Sequence, residues 1–189
     1  MSAASTREHR LRVIETSRLH LHPLQQSDAA FYRDLFTDAE LMRQIGAPLT
    51  RDAADAAFRT SMKMMQGVPP RAWLWRAEER GSCDIVGLVG IVMHQGMPEI
   101  GSMIVASQHR RGYAYESLSA VRDHGFQTVG LVSLFGRQQQ ENQRSIGLMT
   151  KLGFRQIPGL TGRIHWRMDR DDWVEYAGGF LKPAPAVCS

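Results

Sequence analysis

Three strand-like segments in succession constrain this chain most. Residues 72–78 alternate around Trp73 and Trp75, residues 84–94 form an apolar run rich in valine and isoleucine, and residues 99–106 are again extended in pattern. Period-two alternation and short apolar runs bounded by turn residues are the marks of strands. Glu79-Arg80-Gly81-Ser82 and Gln95-Gly96-Met97-Pro98 supply the turns between them. The block therefore predicts an antiparallel meander.

The flanks add helices. Residues 18–24 alternate with Leu19 and Leu21 on one face and read as a strand, with Pro23 suited to an edge or a strand end. Ser27-Asp28 offers an N-cap for a helix through Phe36, and residues 38–45 add a turn or two before Gly46 and Pro48. Thr50 caps a further helix with Ala54, Ala57, Phe58, Met62 and Met65 on one side, ended by Gly67 and the Pro69-Pro70 pair. Beyond the meander, Gly112 opens a segment with Leu118, Val121 and Phe126 at helical spacing, ending near Gly130. A strand over 131–135 follows, then a helix from Glu141 or Asn142 to Leu152 that Gly153 stops, then strands over 154–157 and 163–168. The order β-α-α-β-β-β-α-β-α-β-β predicts an α/β fold (α+β) built on a sheet of mixed direction.

A length of 189 residues with 43% apolar residues suits one domain and one core. The reading places a flexible tail over 1–14, a single domain over 15–175 and a C-terminal tail over 176–189, where Pro183-Ala184-Pro185-Ala186 reads as unstructured. There is no run of about 18 apolar residues, so no membrane span is expected, and the polar stretch from Met1 to His9 lacks the apolar core of a secretory signal. Cys83 and Cys188 form no CxxC pair, which argues against a disulfide framework or a zinc site and for a reducing, cytoplasmic setting. The net charge is +4, and Lys63, Lys151 and Lys182 are the only lysines, so the positive charge is nearly all arginine. An anionic partner is expected. With no lysine-rich run and no aromatic-basic repeat, a phosphate-bearing small molecule suits the chain better than a nucleic acid.

Such a molecule has a candidate seat at His109-Arg110-Arg111-Gly112-Tyr113-Ala114, between a strand and a long helix. Free amides and the dipole at a helix N-terminus bind phosphate, and glycine lets the backbone approach closely. Arg110 and Arg111 add charge. The loop is too short for a Walker A motif, lacks its Gly-Lys-Ser/Thr ending, and does not match GxGxxG. Taken alone it suits a plain strand-to-helix turn with solvated arginines equally well.

The same loop resembles the pyrophosphate-binding signature of the GNAT superfamily of N-acetyltransferases: Gln or Arg, two residues, Gly, one residue, then Gly or Ala. Gly112 and Ala114 match; His109 stands where Gln or Arg is usual. Glu116 and Leu118 resemble the usual continuation of the helix. Asn142-Gln143-Arg144-Ser145 followed by Leu152-Gly153-Phe154 is similar to a pattern of the subgroup that includes the ribosomal-protein-alanine N-terminal acetyltransferases. Glu99-Ile100-Gly101, Thr16-Ser17-Arg18-Leu19 and Arg170-Asp171-Asp172-Trp173 also fit, in the right order over residues 15 to 173.

This resemblance implies a twisted, mostly antiparallel sheet of about seven strands, flanked by about four helices, with a splayed central pair of strands. It implies acetyl-CoA as co-substrate, no metal, and a primary amine as acceptor: a protein N-terminus, an amino acid, a polyamine or an amine-bearing small molecule. The pantetheine arm would lie along Met103, Ile104 and Val105 as a pseudo-strand. The pyrophosphate would rest on the amides of Arg110, Arg111, Gly112, Tyr113 and Ala114, and Asn142 would bond the pantetheine arm or cap its helix. A backbone amide in the Met103–Val105 stretch would serve the oxyanion. Glu99 is the candidate base, directly or through water, with His94 as its competitor and a solvated strand-end carboxylate as the plain alternative. Ser145 is the candidate for orienting or protonating the leaving sulfur. Many similar proteins carry a tyrosine one helical turn later, where this chain has Met149. A non-catalytic acyl-CoA-binding module is the alternative function. Self-association is common among similar proteins, so a homodimer is an admissible assembly.

Overall fold

The computed structural model describes residues 11–43, 45–159 and 162–180. The segment up to residue 10, Lys182, the Pro183–Ala186 stretch and Cys188 lie outside the described residues. Eight strands form one sheet: β1 (Ile14–Glu15), β2 (Leu19–Pro23), β3 (Ala72–Glu79), β4 (Ile85–His94), β5 (Met97–Ile104), β6 (Ser133–Gln139), β7 (Arg155–Ile157) and β8 (Arg163–Asp169). Their order across the sheet is β1-β2-β3-β4-β5-β6-β8-β7. All neighbours are antiparallel except β5 and β6, which run parallel and meet at one register pair, Glu99 with Phe135. The helices are α1 (Ala29–Thr37), α2 (Ala39–Met42), α3 (Arg51–Gln66), α4 (Tyr113–His124), α5 (Gln143–Lys151) and α6 (Arg170–Phe180). The architecture is the mixed α/β sheet with a splayed central pair that the sequence led one to expect.

Side chains alternate faces along a strand, and here the alternation divides the core in two. Leu19, Leu21, Trp73, Trp75, Val89 and Ile91 share one face with Tyr113, Leu118 and Val121 of α4 and Met149 of α5. Leu74 and Leu88 face the other way, onto Tyr32 and Leu35 of α1 and Phe58, Met62 and Met65 of α3. The methionines of α3 are core packing. Among the described residues no helix is long and apolar enough to cross a membrane.

Several boundaries differ from the sequence reading. β5 begins at Met97, because Gln95 and Gly96 alone make the hairpin turn, both at positive φ (49° and 82°) as a two-residue turn of this kind requires. β6 runs from residue 133 to 139 instead of stopping at 135. Its buried positions beyond Leu134 are Gly136 and Gln138, which carry no apolar signal. Asp28 does not cap α1: its carboxylate accepts from the Gln25 amide at 2.8 Å and from Arg76 at 3.0 Å, a buried pairing that ties the helix entry to β3. Thr50 does cap α3, accepting from the Ala53 amide at 3.3 Å. Leu11 packs against the core, the Arg12 carbonyl accepts from Trp75 Nε1 at 2.9 Å, and α6 continues past residue 175.

Two of the quoted motifs have plain structural work. In Leu152-Gly153-Phe154 both apolar residues are buried around a glycine at φ +85°, and a Cβ there would stand 2.7 Å from the Tyr176 ring. In Arg170-Asp171-Asp172-Trp173, Arg170 donates to the carbonyls of Phe126 (2.7 Å) and Leu131 (2.8 Å), and Trp173 Nε1 donates to Asp123 at 2.7 Å. That stretch fastens α6 to the far end of α4.

Candidate functional site

The parallel contact between β5 and β6 ends where it begins, at Glu99. Past it, β5 stays paired with β4 on one side, through Ile104 opposite Gly87, while its other edge is open. Amides on an antiparallel ladder point alternately to the two sides. Val105 donates to the Val86 carbonyl at 2.9 Å, so the amides of Val105 and Met103 belong to β4. Those of Ser102 and Ile104 are directed into the opening. Of the stretch 103–105, then, Ile104 alone offers its amide there, and Ser102, which the sequence reading did not include, joins it. The Ile104 carbonyl is taken, because His109 Nε2 donates to it at 2.8 Å. The histidine at the unusual first position of the loop thus ties the loop back to the strand end it leaves.

The loop itself is curled by two left-handed residues, Arg110 (φ 65°) and Gly112 (φ 82°). Arg110 is held in a conformation that costs a non-glycine residue about 1 kcal/mol. Among the described residues no acceptor meets the amides of Gly112, Tyr113 and Ala114, the first donors of α4. They are the unsatisfied groups that make a helix start a seat for an anion. The two arginines part company here. Arg110 is exposed and has no hydrogen bond or ion pair among the described residues. Arg111 is committed: it donates to Glu79 at 2.6 Å and to Gln108 at 2.5 Å.

Tyr113 also turns inward. It is 1% exposed, and its hydroxyl donates to the same Glu79 carboxylate. The Arg18 and Arg111 guanidinium groups lie 4.7 and 4.9 Å from its ring centroid. The Tyr113 hydrogen bond, with help from Ser82 and Arg111 and against the cost of burial, holds the Glu79 carboxyl below the usual glutamate range. Burial, then the bond to Glu79, pushes the Tyr113 phenol up. The cluster fixes the loop against the end of β3. Its part is to shape the curl; the free donors are the main chain and Arg110.

The remaining candidates sort onto the two faces of the sheet. Ile100 is packed on the α4 side, so Glu99 projects to the α1–α3 side. There Arg137 of β6 donates to Glu99 at 3.3 Å and lies 3.5 Å from His94 Nε2. The two competing bases are therefore neighbours, bridged by one guanidinium. On the opposite face Asn142 caps α5, accepting from the Ser145 amide at 3.1 Å, and the Ser145 hydroxyl donates to Oε1 of Gln138. Met149 is 5% exposed and closes over Gly136, where a Cβ would be 2.5 Å from its Cε. That position is core.

Arg137 and Gln138 were missed in the sequence because the strand appeared to end at Phe135. Burial does alternate along residues 134–138, but its inward positions after Leu134 are Gly136 and Gln138, so no apolar pattern in the sequence marks it. Glu79 and Arg18 were missed because their partner, the Tyr113–Glu116 stretch, lies far away in sequence. Among the described residues no group of three or more His, Cys, Asp or Glu side chains is arranged to hold a metal ion.

Residues 18–155 match the family model described as acetyltransferase (GNAT) domain. A relative in Bacillus subtilis (strain 168), the uncharacterized N-acetyltransferase YoaA, is 27% identical over 147 residues, which span 75% of this chain and 82% of the relative. The crystal structure of an acetyltransferase from Agrobacterium tumefaciens superposes with a TM-score of 0.74 at 22% identity, covering 82% of this chain and 93% of that one. A spermidine N-acetyltransferase from Vibrio cholerae, in complex with CoA and spermine, superposes with a TM-score of 0.71 at 16% identity, covering 84% and 99%.

Proposed function

The chain belongs to the GNAT acetyltransferase family, and on that premise we propose that it binds acetyl-CoA in the opening between β5 and β6 and passes the acetyl group directly to a primary amine. One observation carries this reading. The open edge of β5 leads through one short loop to the unmet amides of Gly112, Tyr113 and Ala114, so a single elongated ligand bearing amides and a diphosphate can engage both. Of the amides of Ser102 and Ile104, one would bond the pantetheine arm and the other would serve the oxyanion. Gly112 to Ala114 and the Arg110 side chain would hold the pyrophosphate.

In the proposed reaction the amine nitrogen attacks the thioester carbon from the face that carries Glu99. The C–N bond forms first and the carbonyl electrons move onto oxygen, where a backbone amide stabilises the charge; collapse of this tetrahedral species then breaks the C–S bond. The amine gives up its proton to Glu99, directly or through water, with His94 beside it on the same arginine. The thiolate departs on the face that carries Ser145, whose hydroxyl hydrogen-bonds the sulfur as its charge grows. The motifs Asn142 to Ser145 and Leu152-Gly153-Phe154 support a place near the ribosomal-protein-alanine N-terminal acetyltransferases, with a protein N-terminus as acceptor. Polyamines, amino acids and amine-bearing small molecules are the other acceptors to be tried.

A thermal-shift titration with acetyl-CoA, paired with a thiol-release assay over these four amine classes, tests the reading. Stabilisation by acetyl-CoA with amine-dependent thiol release is expected. Stabilisation with no thiol release from any class would identify an acyl-CoA-binding module instead.

A further inference from the structure

Two successive residues of β6, Arg137 and Gln138, reach opposite faces of the split sheet, and each grips a different candidate catalytic group. Arg137 takes Glu99 on one face, and Gln138 takes Ser145 on the other. The second contact carries the further step. Gln138 is 7% exposed, its Oε1 receives the Ser145 hydroxyl, and its Nε2 is buried with no hydrogen-bond partner among the described residues.

A serine hydroxyl has one proton to donate and two lone pairs to accept with. Facing a carbonyl oxygen, it must be the donor. In this arrangement the Ser145 proton is spent on Gln138 and is not offered to anything else. A half-turn of the Gln138 amide reverses the contact: Nε2 donates to Ser145 Oγ, and the hydroxyl proton is released to point elsewhere. Among the described residues no partner holds Nε2 where it is, so the turn exchanges one hydrogen bond for another at Ser145 and breaks none at Nε2.

We propose that Gln138 is a positioning residue whose amide orientation decides whether Ser145 donates to the protein or to the sulfur of the leaving thiolate. The proposal rests on the reading of Ser145 given above. No proton changes owner in this step. The C–S bonding pair leaves on sulfur, the thiolate accepts a hydrogen bond from Ser145 Oγ, Ser145 Oγ accepts one from Gln138 Nε2, and solvent later protonates the thiolate. A donor to the donor polarises the hydroxyl when the sulfur most needs it.

The test is a set of variants at 138 and 145, singly and combined, assayed for kcat and for the acetyl-CoA KM. Ser145→Ala should lower kcat by roughly ten- to a hundredfold. Gln138→Leu, which offers neither donor nor acceptor, should lower kcat by roughly three- to tenfold. Gln138→Glu, which when ionised can only accept, should approach the Ser145→Ala loss and regain activity as pH falls and its carboxyl becomes a donor. KM should stay within about twofold throughout, and in the Ser145→Ala background neither change at 138 should lower kcat further. Losses that multiply in the double variants overturn the proposal and leave the acyl-transfer reading intact. Full kcat in Ser145→Ala overturns it together with the role of Ser145. Absence of thiol release by the unaltered protein with every amine overturns it along with the reading beneath. Should Gln138→Glu fail to fold, Gln138→Leu and its double variant decide.

Discussion

Glu116, in the first turn of α4, accepts a 2.6 Å hydrogen bond from the hydroxyl of Thr16, which lies 100 residues earlier in the chain. The same carboxylate receives the Ser17 hydroxyl at 3.0 Å, the Arg18 amide at 2.8 Å and the Arg18 guanidinium at 2.7 Å. Arg18 goes on to donate to the Arg111 carbonyl at 2.9 Å. The two motifs, Thr16-Ser17-Arg18 and the segment after Gly112, far apart in the sequence, are thus halves of one joint. It holds the start of α4, and with it the loop, against the strand edge.

Burial works against the charged form of Glu116, but the bonds from Thr16, Arg18 and Ser17 outweigh it, so its carboxyl sits below the usual glutamate range. A depressed folded-state value contributes stability that is present above the unfolded value of about 4.3 and is lost as pH falls through the folded value. Glu116→Gln should therefore be less stable than the parent near pH 7, by about 2 kcal/mol, with the difference shrinking in the acid range. Urea melts at neutral and acid pH measure it. A stability difference that stays constant across that range would remove Glu116 from the joint.

At Gly112, a side chain would have to adopt φ +82°, with its Cβ 3.4 Å from Arg18 Nη2. The left-handed conformation costs about 1–2 kcal/mol with a Cβ present, so the loop should uncurl and aim its amides elsewhere. Gly112→Val should remain folded and lose most of the thermal shift given by acetyl-CoA. A full shift in this variant would place the diphosphate away from the loop.

The contrast between neighbouring arginines makes a second check on the loop. Arg110→Ala should raise the acetyl-CoA KM by about fivefold, one charge-assisted contact, and leave the melting temperature unchanged. Arg111→Ala frees Glu79 and Gln108 and should lower the melting temperature as well as weaken acetyl-CoA. Equal thermal stability in the two variants would contradict the division of labour described above.

On the face proposed for the acceptor, Glu99→Gln removes the proposed base but keeps the shape. It should lower kcat by about a hundredfold at neutral pH, with acetyl-CoA affinity within about twofold, and the loss should narrow at high pH, where the amine is deprotonated by solvent. His94→Gln, made in parallel, tells the two bridged groups apart: the larger loss marks the base.

Much of this was legible in the residues because the determining features are local. The meander over β3 to β5, the caps at Thr50 and Asn142, and the glycine turns are written in neighbouring side chains. The turn at Gly112 was legible for the same reason, since it and the helix after it are contiguous. Pairings across the chain were not. Glu79 with Tyr113 and Thr16 with Glu116 join residues whose types carry no hint of each other. The surroundings of Glu99 and Ser145 were hidden in another way: β6 buries Gly136 and Gln138, a hole and an amide, so the residues alone mark no strand as far as Arg137 and Gln138, which hold them.

Amide hydrogen exchange, followed residue by residue with and without acetyl-CoA, tests the central claim most directly. The account predicts that acetyl-CoA slows exchange at Ser102 and Ile104 and at Gly112, Tyr113 and Ala114. It predicts that Met103 and Val105, already bonded to β4, are slow in both states. Unchanged exchange at Gly112 to Ala114 in the presence of saturating acetyl-CoA would contradict it.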